Sequence, residues 1–204
     1  MNTGIQKGIE GLRKALAEMA SAAGSMLDRA ILALVEGDAT VHEAVRDMDL
    51  RLNEYELQLD RTCELLLVLR EPFAVDFRFV FCTIKVTRDL ERIGDEVKFA
   101  ARWIGDLHGD APSDLVHLAR RARERYEAAT TALIACDVAA ARRLIDEDQE
   151  AADLEERILA NTTRVDVAAI AHAFGRIAAR TTNIAENTVY AVSATDLRHG
   201  HGRT

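Results

Sequence analysis

Cysteine, proline and aromatic residues are scarce in this chain. Its 204 residues include 3 Cys, 2 Pro and 11 Gly, and aromatics make up 5%. Cys63, Cys82 and Cys136 are odd in number and each sits among apolar neighbours. That excludes a disulfide framework and reads as buried, reduced thiols in a reducing compartment. So few prolines and glycines leave few turn signals, and the abundance of Ala, Leu, Arg and Glu favours helix in nearly every window. The expected fold class is all-α. No charged start followed by an apolar core opens the chain, and its longest purely apolar run, Leu65 to Leu69, is far short of the roughly 20 residues a spanning helix needs. A soluble, cytoplasmic protein is expected. Excess positive charge is also lacking: 26 Lys and Arg stand against 34 Asp and Glu, a net charge of −8. That excludes a nucleic-acid surface, which requires clustered cations. The only basic run, Arg120, Arg121, Arg123 and Arg125, is interleaved with Glu124 and Glu127 and reads as a solvated helix face.

What is present is apolar periodicity, with 49% hydrophobic residues to build a core. Leu12, Leu16, Met19, Ala23, Met26, Ala30 and Ala33 recur at steps of four and three, one stripe of a first helix that Gly37-Asp38 ends. Asp38 is placed to cap a second helix, striped by Val41, Val45, Met48, Leu52, Tyr55, Leu59 and Leu66 and stopped at Glu71-Pro72. A third runs from about Val75 to Ile104; Phe77 to Phe81 alone resembles a strand, but length and period decide for helix. His108 to Pro112 is the clearest break, with Ser113 as a cap for a fourth helix ending near Cys136. Asp137 caps a fifth helix to about Ala160, and a sixth runs through Val167, Ile170, Phe174, Ile177, Thr181 and Ile184.

The two halves repeat. Ala33-Leu34 through Asp38 aligns with Ala132-Leu133 through Asp137, and Asp49 falls on Asp148, at an offset of 99 (148 − 49). Arg92-Ile93 then matches Arg176-Ile177 at an offset of 84 (176 − 92), so the second half is clipped by about two turns in each of two helices. The expected organisation is two tandem three-helix bundles of six long helices. Residues 1–108 form the first repeat, 113–195 the shortened second, and 196–204 a flexible tail whose histidines carry no argument.

The chemistry concentrates in Arg88 to Asp95. Glu91 and Asp95 are four residues apart and share a helix face, where an uncompensated like-charge pair costs roughly 0.2–0.5 kcal/mol. Either Arg88 and Arg92 balance them or a cation does. In a hairpin about Pro72, Asn53 comes level with Glu91, and Asp49 with Asp95, while Glu56 and Asp60 continue the polar line. Oxygen donors converging from two helices suit a hard cation such as Mg²⁺, Mn²⁺ or iron, and suit structural zinc poorly.

These residues resemble the PhoU family of phosphate-uptake regulators. The likeness rests on Pro72-x-Ala-x-Asp-Phe-Arg78, Asp89-Leu-Glu-Arg-Ile-Gly-Asp95 and Thr182-Asn-Ile-Ala-Glu-Asn187, and covers nearly the whole chain. The resemblance implies that Glu91 and Asp95 are the metal-binding pair, with Asp49, Asn53 and Glu56 as secondary ligands or supports. Iron, manganese, zinc or magnesium is the implied occupant. The second repeat has Gly175 and Ala179 where the family motif has acids, so one metal locus is expected, in the first repeat. The resemblance further implies a cytoplasmic adaptor that restrains phosphate uptake and signalling. Its implied partners are the ATPase subunit of a Pst-type phosphate ABC transporter and a sensor histidine kinase, and it would approach a membrane only through them. A homodimer is expected, because association buries further apolar stripe. Two alternatives stand: a metal-free helical adaptor of another transporter, and a carboxylate-metal enzyme. Against the enzyme, no Glu is followed three residues later by His, as di-metal bundles require, and no Ser-His-Asp order or glycine-rich phosphate loop is present.

Overall fold

The computed structural model describes residues 3–70, 74–147, 149–195 and 197. Glu71, Pro72, Asp148 and tail residues 198–204, with His199 and His201, lie outside the described residues. The chain is all-helical: α1 (Thr3–Glu36), α2 (Val41–Arg70), α3 (Ala74–Gly105), α4 (Ser113–Ala135), α5 (Val138–Asp146), α6 (Gln149–Asn161) and α7 (Val165–Ser193).

Local chemistry ends and starts these helices. Gly37 adopts φ 71° and, with Asp38, returns its N–H to the Ala33 carbonyl, closing α1. The Asp38 carboxylate then accepts from the Thr40 backbone N–H at 2.9 Å. Asp137 caps α5 as expected, accepting from the Ala140 N–H at 2.9 Å. Ser113 does not cap α4. The N-cap is Pro112, whose carbonyl accepts from Leu115 and Val116, so Ser113 already lies inside the first turn. Phe77 to Phe81 is helical, as length and period require.

The expected fifth helix is interrupted at Glu147, giving α5 and α6. The reason lies in Arg125, expected on a solvated face but only 6% exposed. Its guanidinium donates to the carbonyls of Leu144 (3.3 Å) and Glu147 (3.1 Å), and to Thr182 Oγ1 on α7 (3.1 Å). A buried cation holding those carbonyls replaces the hydrogen bonds the helix gives up there. Two more of the basic run are ion-paired: Arg121 with Glu124 and Glu150, Arg123 with Asp28 and Glu127.

In the first half α1, α2 and α3 pack together; in the second, α4 packs on α5, α6 and α7, and α7 on all three. The halves join where α3 lies along α7 and α1 along α4, so one continuous core runs through the molecule. In the repeat alignment Val165 corresponds to Phe81, seven residues into α3, and Asn161 to Thr62, eight residues short of the end of α2. The clipped turns therefore lie at the α6–α7 hairpin. Cys63 and Cys82 are buried and, among the described residues, form no disulfide; Cys136 is half-exposed, and its Sγ accepts from Arg13 Nη1 at 2.9 Å.

Candidate metal centre

The site forms where α3 faces α2 across Gly94. Gly94 makes that approach possible: a Cβ there would stand 2.3 Å from Leu52 Cδ2 and 3.8 Å from Asp49 Oδ1. Removing one side chain from α3 lets the carboxylates of both helices meet above an apolar seam of Leu52, Leu90 and Ile93, all fully buried.

Asp49 and Asp95 come together through Lys98. Its Nζ donates to Asp49 Oδ2 at 2.7 Å and to Asp95 Oδ1 at 2.8 Å. Asp49 is 6% exposed, so the ammonium compensates a charge that water barely reaches. Burial lowers the proton affinity of Lys98, but its two carboxylate partners outweigh that and hold it above its usual value. Sequence reasoning offered Arg88 and Arg92, or a bound cation, as the balancing charge and missed Lys98; the signal was its position one turn beyond Asp95.

Glu91 is the residue in tension. Burial pushes its carboxyl up to about 7, helped by a hydrogen bond with Asp95 and the charges of Asp95 and Glu56, with Arg92 opposing. Glu56 is also raised, by burial and then by Asp60, with Arg88 opposing. The predicted Glu91, Asp95 and Glu56 thus sense one another's charge, while Asp49 is drawn to Lys98. Asn53 is half-buried on α2, one turn from each of Asp49 and Glu56. The donor chemistry fits a hard cation, which would relieve the repulsion that raises the Glu91 carboxyl. Among the described residues, no three His, Cys, Asp or Glu side chains already stand as a metal cage, so Glu91, Asp95 and Glu56 would have to close around an ion.

The matching place in the second half carries different chemistry. Gly175 stands where Glu91 stands in the first half, and Glu155, the counterpart of Glu56, fills the space: an added Cβ on Gly175 would lie 1.8 Å from Glu155 Oε2. His172 Nδ1 holds that carboxylate at 2.9 Å. Arg176 pairs with Glu96 across the α3–α7 seam at 2.6 Å, and Arg180 lies 3.6 Å from Asp89, which also accepts from Asn183 at 3.4 Å. Burial raises Asp89, with Asn183 and Arg180 opposing. Glu155 was not anticipated, although its offset of 99 from Glu56 marked it.

A sequence model described as the PhoU domain matches residues 16–104, the half that holds the acidic cluster. Beyond that half, the chain is 30% identical to the phosphate-specific transport system accessory protein PhoU homolog of Pseudomonas putida, over 94% of this chain and 81% of the relative. The chain belongs to the PhoU family. The PhoU homolog of Pseudomonas aeruginosa is 28% identical over 94% of this chain and 86% of its own. The crystal structure of PhoU from Pseudomonas aeruginosa superposes with a TM-score of 0.85 at 25% identity, covering 93% of this chain and 99% of that one. PhoU from Streptococcus pneumoniae shares the fold at a TM-score of 0.84 and 20% identity, over 94% and 98%. These PhoU relatives are named as accessory and regulatory proteins of phosphate transport, not as enzymes. No described helix is long and apolar enough to cross a membrane.

Proposed function

We propose that this chain is a non-enzymatic, cytoplasmic regulator that restrains phosphate uptake and phosphate-responsive signalling. Its partners in this reading are the ATPase subunit of a Pst-type phosphate ABC transporter and a sensor histidine kinase, and it acts as a homodimer. The observation that carries the reading is the near full-length likeness to phosphate-specific transport accessory proteins. In the same reading, Glu91 and Asp95 hold one iron, manganese, zinc or magnesium ion, with Glu56, Asn53 and Asp49 around them. The metal would supply a fixed positive charge joining α2 to α3; the protein's own residues supply oxygen donors and, through Gly94, their proximity.

Elemental mass spectrometry on untagged protein, beside Glu91→Ala, Asp95→Ala and Lys98→Ala, tests the metal. Metal in the native chain, lost in the first two variants and retained or increased in the third, is the expected outcome. Equal emptiness of all four after reconstitution would overturn it. Lys98 supports a second reading, a metal-free helical adaptor, because an ammonium already bridges Asp49 and Asp95. In that case Lys98→Ala lowers stability, and added Mn²⁺ does not restore it.

A further inference from the structure

Among the described residues, nothing covers the outer face of α2. This helix packs on α1 and α3 and on no other element among the described residues. Away from them it exposes Leu50 (61%), Leu57 (57%) and Leu65 (58%). Arg51, Glu54, Gln58, Arg61 and Glu64 are exposed on the same face, and among the described residues none of the four charged ones joins an ion pair with its own chain. Positions 50, 54, 57, 61 and 64 step by four and three, the seven-residue spacing by which two helices run side by side.

We propose that this face is the contact between two copies of the chain, with the two α2 helices antiparallel about a two-fold axis between Leu57 and Gln58. That axis sets Glu54 opposite the partner's Arg61, Arg51 opposite the partner's Glu64, and Leu50 opposite the partner's Leu65. Two-fold symmetry repeats each match, giving four opposite-charge pairs and two leucine pairs around a centre made by Leu57. A parallel arrangement would set each charge against itself. Charge balance also selects a second copy as the occupant. The chain carries −8 overall and repels itself at most orientations, whereas this strip has two arginines and two glutamates in self-complementary order. This assigns a surface to the homodimer of the proposed function and stands apart from the metal and transporter readings.

The test is sedimentation equilibrium on the full chain at low salt, with Glu54→Arg, Arg61→Glu and the double variant. Native protein is expected to dimerise, more weakly at high salt. Each single variant places like charges opposite one another at two points and weakens the dimer by about tenfold or more. The double variant reverses both partners and returns the constant to near the native value. These positions are exposed, and circular dichroism confirms that each variant stays folded. A native chain that remains monomeric, single variants that dimerise like the native chain, or a double variant no better than the singles overturns the proposal. Metal content of the same variants stays at the native level, so failure here is separable from failure at Glu91.

Discussion

Glu91 shows what one carboxyl can do to the pH profile of a protein. Its folded pKa is raised to about 7, above the roughly 4.3 of an unfolded glutamate. The folded state therefore binds the proton more tightly than the unfolded state. Stability from this group is full below about pH 4 and falls as pH rises through 7. In metal-free protein, Glu91→Gln should leave the melting temperature nearly unchanged at pH 4 and raise it at pH 8. The gain is about 1 kcal/mol at most, since solvent screens a group this exposed. An equal effect at both pH values would show that Glu91 does not titrate in this range. The pair Glu91 and Asp95 was legible in the sequence because two acids four apart on an apolar-striped helix must share a face. Lys98 was not, because a long cation reaches several turns and periodicity does not say which acid it takes.

The helices themselves obey their sequence closely, and two glycines show how differently one residue type can serve an element. At Gly94 an added methyl meets Leu52, which is fully buried and has no direction in which to retreat. Gly94→Ala should destabilise by about 1–2 kcal/mol, overpacking exceeding the gain in helix propensity. At Gly175 the obstacle is the far end of Glu155, which can swing into solvent. Gly175→Ala should therefore be neutral or stabilising by about 0.5–1 kcal/mol, at the cost of the His172–Glu155 contact. Denaturant titration of the two variants decides, and the reverse order of stabilities would refute the packing argument. Helix spans and most caps were readable because stripe, Gly37 and Asp137 act locally. The interruption at Glu147 was not, because its cause, Arg125, lies in another helix and is braced by Thr182 on a third.

At the scale of the molecule, the two halves carry unequal chemistry. The first keeps its acids together around Gly94; the second carries Arg176 and Arg180 on α7, directed at Glu96 and Asp89 of α3. The docking of the halves was not legible in the sequence, since it depends on cross-helix pairs with no common period. Tyr126 is one: its hydroxyl donates to the Ala20 carbonyl of α1 at 2.6 Å, and its ring needs the space left by Gly24. Tyr126→Phe should cost about 0.5–1.5 kcal/mol in global stability, because one buried hydrogen bond is lost without leaving a cavity. A thermal unfolding scan with no shift would mean that the α1–α4 seam does not need it.

The interruption of α5 and α6 also sets the order in which the molecule comes apart. Nine residues of α5 and thirteen of α6 are too short to persist as helices alone, and among the described residues they pack only on α4 and α7. Amide protons in this corner should exchange with deuterium well before those of α1 and α3. The protein therefore carries a loosely latched flank in its second half and a slow-exchanging body in its first, and proteases should cut near residue 147 before they open the acidic cluster.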